Sequence, residues 1–78
     1  MPTILVSGPY QFFFYSGDRA EPPHVHVERE PSRAKFWLRP TRLVYSLGFG
    51  RTELSRVERL VRDHEEQFRR SWNAFFAG

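Results

Sequence analysis

The sequence predicts an α+β fold in which an antiparallel sheet of four or five strands, arranged as two hairpins, packs against one long C-terminal helix. Residues 3–47 predict the sheet, because they are rich in β-branched and aromatic side chains and partly alternate between apolar and polar positions. Residues 54–75 predict the helix, because apolar side chains recur there every three or four positions. A chain of 78 residues has room for one hydrophobic core, so we predict a single domain over residues 1–78.

Turn residues divide the first half of the chain into strands. Residues 3–6 and 10–16 flank a Ser-Gly-Pro turn and form the first predicted hairpin. Residues 24–28 and 34–39 flank a polar turn that contains proline and form the second hairpin. Residues 41–47 are either a fifth short strand or an irregular crossover to the helix.

The helix prediction rests on one apolar stripe and on the residues at its ends. Gly50 is the predicted N-cap with Glu53 three positions later, which is half of a capping box, and Gly78 is predicted to close the helix. We interpret His64, which lies on the stripe, as a hydrogen-bonded core residue. The whole stripe consists of Leu54, Val57, Val61, His64, Phe68, Trp72 and Phe75. The opposite face offers ion pairs at four-residue spacing: Glu58–Arg62, Glu65–Arg69 and Glu66–Arg70.

The hydrophobic core follows from the two periodicities together. On the strand that begins at His24, Val25 and Val27 point to one side and the two histidines point to the other. We expect the valines to face the helix. The predicted core consists of Ile4, Val6, Val25, Val27, Phe36, Leu38, Leu54, Val57, Val61, Phe68 and Trp72.

The composition excludes several classes of protein. The chain has no cysteine, which excludes a disulfide scaffold and a cysteine-based zinc finger. The chain is too rich in Phe, Trp and Leu to be disordered. No apolar run reaches the ~18 residues of a membrane span and no secretion leader opens the sequence, so we expect a cytoplasmic protein without a membrane partner. The net charge is +3, and 11 of the 12 basic residues are arginine, which pairs with phosphate and stacks on aromatic rings.

One face of the second predicted hairpin gathers side chains that suit catalysis or binding. His24 and His26 lie two residues apart on an alternating strand, so their side chains share a face about 7 Å apart. Glu21 precedes them in a loop stiffened by two prolines. The neighbouring segments add candidate binding residues for RNA or a partner: Tyr15, Lys35, Trp37, Arg39 and Arg42. A hydrophobic core does not need this combination, so we predict a functional surface.

Several motifs carry a resemblance that spans nearly the whole chain. They are MPTI at 1–4, FFYS at 13–16, EPPHVHV at 21–27, AKFWL at 34–38, GF at 48–49, EL at 53–54, WN at 72–73 and FF at 75–76. With them the sequence resembles a family of short bacterial proteins known as domain of unknown function 4160. Arg39 stands where that family often has an acidic residue, and Gly50 where it often has serine. Members resemble toxin–antitoxin components in genome layout, which implies a cognate small protein encoded nearby.

Four interpretations of the histidine face remain open. A metal-independent ribonuclease would use His24 and His26 as acid and base, with Glu21 orienting one of them. A binding surface would hold RNA or a protein through its aromatic and cationic side chains. A metal-binding protein would use the two histidines, but Glu28 lies about 13 Å from His24 and Glu21 would have to fold back. The face can also be purely structural.

From these interpretations we predict a toxin–antitoxin-like component that binds RNA or a protein partner through the histidine face. Catalysis is left open, no metal or other cofactor is assigned, and self-association is a further option. The exposure of the two histidines is the main structural question, since a shift of one residue in register would turn their strand over.

Overall fold

The computed structural model describes residues 3–77, which form a five-stranded sheet with two helices packed against it. The strands are β1 (Thr3–Ser7), β2 (Tyr10–Phe13), β3 (His24–Arg29), β4 (Ser32–Leu38) and β5 (Thr41–Leu47). A 3₁₀ helix (Ser16–Ala20) precedes β3, and α1 (Arg51–Asp63) and α2 (Glu65–Phe76) follow the sheet. The start of the MPTI motif (Met1, Pro2) and the predicted helix end at Gly78 lie outside the described residues.

The sheet is an antiparallel meander in which every strand pairs with its neighbours in sequence, in the order β1-β2-β3-β4-β5. β3 pairs with β4 in regular register, with His24 opposite Trp37 and His26 opposite Lys35. The pairing of β4 with β5 contains an irregularity, beyond which Trp37 lies opposite Arg42. The fifth strand over residues 41–47 is therefore formed, and the second hairpin continues directly into a third.

The hydrophobic core lies between the sheet and the two helices. Val25 and Val27 are fully buried in it, as the alternation of β3 predicts. The other predicted residues that are buried are Phe36, Leu38, Val57, Val61, Phe68 and Trp72, and Ile4 and Leu54 pack against them. Tyr10, Phe12, Phe14 and Ala34 complete the cluster. The run of four aromatic residues from Phe12 to Tyr15 hides the alternation there, so the sequence pattern does not assign Phe12 and Phe14 to the core.

The prediction that Val6 belongs to the core is wrong, because Val6 is 62% exposed. The register between β1 and β2 shifts between Thr3 and Leu5. Ile4 and Leu5, although adjacent in sequence, both pack against the core, and Val6 lies opposite the exposed Gln11. The irregularity breaks the two-residue period, so alternation alone assigns Val6 to the wrong face.

The prediction of one long helix is also wrong, because the chain forms two helices that meet at His64. His64 has φ −110° and ψ 14°, which takes the backbone out of the helical region. Its ring Nδ1–H donates to the Leu60 carbonyl at 2.8 Å, and such a bond competes with regular helix continuation. The hydrogen-bonded role predicted for His64 is confirmed. The apolar stripe continues on both sides of the break, with Val61 and Phe68 both fully buried, so the period of the sequence does not reveal the break.

The outer surface of the helices carries paired charges. Two predicted ion pairs are formed, Glu58–Arg62 at 2.9 Å and Glu66–Arg70 at 2.8 Å. The predicted Glu65–Arg69 pair is wrong, because Glu65 instead accepts hydrogen bonds from the backbone N–H and hydroxyl of Thr41. Among the described residues, no helix is long and apolar enough to cross a membrane.

A fully paired polar cluster fastens α1 to the sheet. Arg29 of β3 donates to both carboxylate oxygens of Glu53, at 2.7 and 2.6 Å, and the Tyr10 hydroxyl donates to Glu53 at 2.9 Å. The bond from Arg29, followed by the bond from Tyr10, lowers the pKa of Glu53 against the effect of burial. Gly50 is the N-cap as predicted, but the half capping box is wrong because Glu53 is engaged by the sheet.

Candidate functional site

The segment before β3 brings a carboxylate onto the two histidines of that strand. Asp18 lies in the 3₁₀ helix, and its Oδ2 is 2.9 Å from Nε2 of His24 and 3.1 Å from Nε2 of His26. The backbone N–H of Tyr15 donates to the same oxygen at 3.0 Å. One carboxylate oxygen therefore faces two imidazoles and one amide. We call Asp18, His24 and His26 the Asp–His cluster.

The two histidines differ in their surroundings. The side chain of His24 is 0% exposed, and its ring lies 4.9 Å from the indole of Trp72 on α2. The side chain of His26 is 10% exposed, stacks on Phe13 at 5.5 Å and meets the edge of Tyr15 at 4.6 Å. The predicted histidine face is thus largely closed, and solvent reaches the cluster only beside His26 and Asp18.

The hydrogen-bond partners assign the ring hydrogens of both histidines. Nδ1 of His24 is 3.0 Å from the carbonyl of Pro22, which only accepts, so Nδ1–H donates. Nε2–H of His26 donates to the carboxylate of Asp18. Nε2 of His24 makes no hydrogen bond of regular geometry among the described residues, although Oδ2 of Asp18 lies 2.9 Å away. A buried polar atom without a partner costs about 1–3 kcal/mol, so its retention calls for a functional explanation.

Burial and charge act in opposite directions on the cluster. Burial lowers the pKa of His26 and outweighs Asp18, which raises it, and the neighbouring His24 adds to the lowering. Burial raises the pKa of Asp18, but the Tyr15 backbone N–H and the two histidines together bring it below its usual value. The cluster therefore favours an ionised carboxylate beside a neutral His26.

Glu21 and Lys35 form an ion pair at the edge of the Asp–His cluster. Nζ of Lys35 is 2.5 Å from Oε1 of Glu21 and 5.0 Å from the ring of Trp37. The hydrogen bond from Lys35 lowers the pKa of Glu21. Oε1 of Glu21 is 3.7 Å from Nδ1 of His24, which is too long for a hydrogen bond. The orienting role predicted for Glu21 stays a prediction, and the charge of Lys35 is already balanced.

Three of the predicted binding residues line one pocket, which we call the arginine pocket. It has a volume of about 320 Å³ and is lined by Pro22, Pro23, Trp37, Arg39, Pro40 and Arg42. Trp37 is half-buried and both arginines are exposed. Within residues 3–77, neither arginine of the pocket forms a hydrogen bond or an ion pair.

The structure divides the predicted site residues into two adjacent groups. Glu21, Tyr15 and Lys35 surround the two histidines, and the remaining predicted residues line the arginine pocket. The sequence pattern does not identify Asp18, because a residue of the connection between β2 and β3 has no regular spacing from His24. Asp18 and Glu21 are both carboxylates of that connection, and the sequence does not distinguish them.

These features define a small α+β protein with a buried Asp–His cluster next to an arginine-lined pocket. Residues 10–73 match the family described as Domain of unknown function (DUF4160), and the chain belongs to that family. The matched segment contains the Asp–His cluster and the arginine pocket. No curated protein and no solved structure matches the chain.

Proposed function

We propose that this protein binds single-stranded RNA at the arginine pocket. The observation that carries the proposal is an indole, that of Trp37, beside two guanidinium groups that have no partner among the described residues. A nucleotide complements both features, because its base stacks on an aromatic ring and its phosphate pairs with arginine.

The sheet holds the three side chains in place for such a ligand. Trp37 on β4 lies directly opposite Arg42 on β5, and Arg39 lies in the turn that joins these strands. The pocket volume of about 320 Å³ is within the range of ~300–1,000 Å³ that is usual for ligand sites. Three prolines supply apolar walls, so the two guanidinium groups are the charged groups that a ligand meets.

The charge of the arginine pocket favours an anion over a neutral protein surface. Among the described residues, no acidic side chain lines the pocket, and the nearby Glu21 forms an ion pair with Lys35. Tryptophan and arginine are also common at the centres of protein interfaces. Unpaired positive charge in a concave site suits phosphate better, and RNA is therefore the ligand that we propose.

Cleavage of RNA by His24 and His26 has less support than binding. His24 is fully buried, and both imidazoles face Asp18. General acid–base catalysis needs each group within about 2.6–3.2 Å of the proton that it transfers. A phosphate that approaches from solvent meets the edge of His26 before the buried His24, so the geometry supports binding more than acid–base catalysis by the pair.

Fluorescence anisotropy with a labelled single-stranded RNA tests the proposal. We expect R39A/R42A to bind more weakly and to lower the slope of log K against log salt by about 1.4, for two lost phosphate contacts. W37A should lose about 1–3 kcal/mol of stacking, while W37F should recover part of it.

The matched control is R59A/R62A on the outer surface of α1, which removes the same charge away from the pocket. It should bind RNA almost as the parent does. Equal losses of RNA affinity in the two double variants would mean that binding depends on net charge alone and not on the arginine pocket. Binding by the parent that is insensitive to salt would favour a protein partner instead.

We further propose that RNA binding serves a toxin–antitoxin-like role, with a small protein encoded nearby as the second component. Induced expression in a bacterial host tests this role. We expect growth arrest by the parent and relief by R39A/R42A at equal protein level. Normal growth with abundant parent protein would contradict the toxin role, while the anisotropy experiment would still decide RNA binding.

A further inference from the structure

We propose that Asp18, His24 and His26 form a binding site for a divalent first-row transition metal of the Zn²⁺ type. One ligand atom from each residue lies within 4.8 Å of the other two. The site is separate from the arginine pocket and shares no residue with it. Asp18 is the third ligand, which the sequence alone does not reveal.

The distances are close to those of a formed metal site. Zinc bonds of ~2.0–2.1 Å at tetrahedral angles place neighbouring ligand atoms ~3.3 Å apart. Oδ2 of Asp18 lies 2.9 and 3.1 Å from the Nε2 atoms of His24 and His26. The ligand atoms of the two histidines lie within 4.8 Å of each other, and the Asp18 side chain is 13% exposed, so it can move towards solvent to admit the ion.

The unpaired nitrogen of His24 is suited to a metal ion. Its Nδ1–H is committed to the carbonyl of Pro22, so the neutral form of the ring presents a lone pair on Nε2. That nitrogen is fully buried and lies 2.9 Å from Oδ2 of Asp18, which is also an acceptor. A metal ion bound to both atoms would give the nitrogen a partner. His26 joins them when its hydrogen moves to Nδ1 and its Nε2 lone pair turns to the metal.

The surroundings of the ligands match those of known metal-binding histidines. Such a histidine commonly donates its other ring N–H to a backbone carbonyl or a carboxylate, and His24 does so to Pro22. The backbone N–H of Tyr15 holds the carboxylate of Asp18 in the same way. Two imidazoles and one carboxylate suit zinc, iron or nickel rather than calcium or magnesium. Three protein ligands leave a position for water.

Calorimetric titration of the untagged protein with ZnCl₂ tests the site, since a histidine tag would bind the ion itself. We expect one ion per chain. D18N, which keeps the shape of a partly exposed side chain, should weaken binding by more than the ~10–100-fold typical of an outer-sphere partner. H26Q should do the same. The buried His24 is left unchanged in these variants, so that folding is preserved.

H64Q is the matched control, because His64 lies at the junction of the helices and outside the cluster. It should bind Zn²⁺ as tightly as the parent. Binding that survives D18N and H26Q but fails in H64Q would overturn the site. An absence of binding in the micromolar range would overturn it as well.

Nitrogen-15 NMR of the histidine rings identifies the ligand atoms directly. On addition of ZnCl₂ we expect the Nε2 signals of His24 and His26 to shift and the ring signals of His64 to stay. Two protonated ring nitrogens on His24 that persist with ZnCl₂ would overturn the proposal. R39A/R42A should keep full Zn²⁺ binding and D18N should keep RNA binding, so the two proposals fail independently.

Discussion

Two polar clusters join separate parts of this protein, and each centres on one carboxylate. Glu53 receives hydrogen bonds from both Arg29 and Tyr10, and none of the three polar groups lacks a partner. Asp18 faces the two histidines of β3, and one of these imidazoles keeps a buried nitrogen without a hydrogen bond. The first cluster is complete without a ligand, whereas the second is not.

The difference shows how a structural cluster is told from a binding site. Burial of polar groups is costly unless they are paired, and folded proteins pair nearly all of them. The Glu53 cluster meets that condition, so its substitution should change stability alone. The Asp–His cluster keeps an unpaired atom, and a ligand that pairs this atom should bind with added favourable free energy.

The largest expected effect is the response of each cluster to Zn²⁺. With free Zn²⁺ at about 100 times its Kd, binding should stabilise the parent by ~2.7 kcal/mol and raise its Tm by roughly 10–20 °C. E53Q should melt at a lower temperature but show the same rise. D18N should show almost no rise. Circular dichroism melts at matched protein concentration measure the Tm of each variant with and without Zn²⁺. If the Tm of D18N rises as much as that of the parent, the two clusters do not differ in metal binding.

A smaller effect should follow from Y10F, which removes one bond to Glu53 and keeps a ring that is 4% exposed. We expect the free energy of unfolding to fall by about 0.5–1.5 kcal/mol, with an unchanged response to Zn²⁺. Urea unfolding measures the change. Y15F is the control, because the Tyr15 hydroxyl has no hydrogen bond among the described residues and the residue is 44% exposed. An equal loss of unfolding free energy in Y15F would contradict a stabilising role for the Tyr10–Glu53 hydrogen bond.

The smallest effect concerns the pH dependence of the Glu53 cluster. Arg29, followed by Tyr10, lowers the pKa of Glu53 in the folded protein below its ordinary value of 4.5. The stability that this carboxylate contributes should be complete above that value and lost as pH falls through the folded-state pKa. Urea unfolding of the parent and E53Q from neutral to acidic pH measures it. A difference between them that does not shrink on acidification would show that the charge of Glu53 contributes nothing.

The sequence predicts the sheet and the faces of its central strands because burial on one side imposes a period of two. Val25, Val27, Phe36 and Leu38 follow that rule and are all fully buried. The rule fails at Val6, where an irregular pairing shifts the period. Alternation depends on regular pairing with a neighbour, and the sequence of one strand does not show that neighbour's register.

The period of the sequence pattern predicts neither the break between the two helices nor the Asp–His cluster, for different reasons. His64 interrupts the helix through its backbone angles and a ring hydrogen bond, while the apolar stripe continues unchanged. Asp18 reaches His24 across a loop, and loop conformation has no repeat from which it can be predicted. The pairing of Trp37 with Arg42 needs only the turn between neighbouring strands, and both are among the binding residues that the sequence predicts.

Pro22 gives the two proposed sites a thermodynamic connection. Its carbonyl accepts the hydrogen bond of His24, and the residue also lines the arginine pocket. A ligand that moves this proline therefore changes the orientation of one metal ligand. Linkage makes the effect reciprocal: the factor by which bound Zn²⁺ changes the affinity for RNA equals the factor by which bound RNA changes the affinity for Zn²⁺. A single backbone carbonyl is thus the route by which the two proposed ligands, once bound, can change each other's affinity.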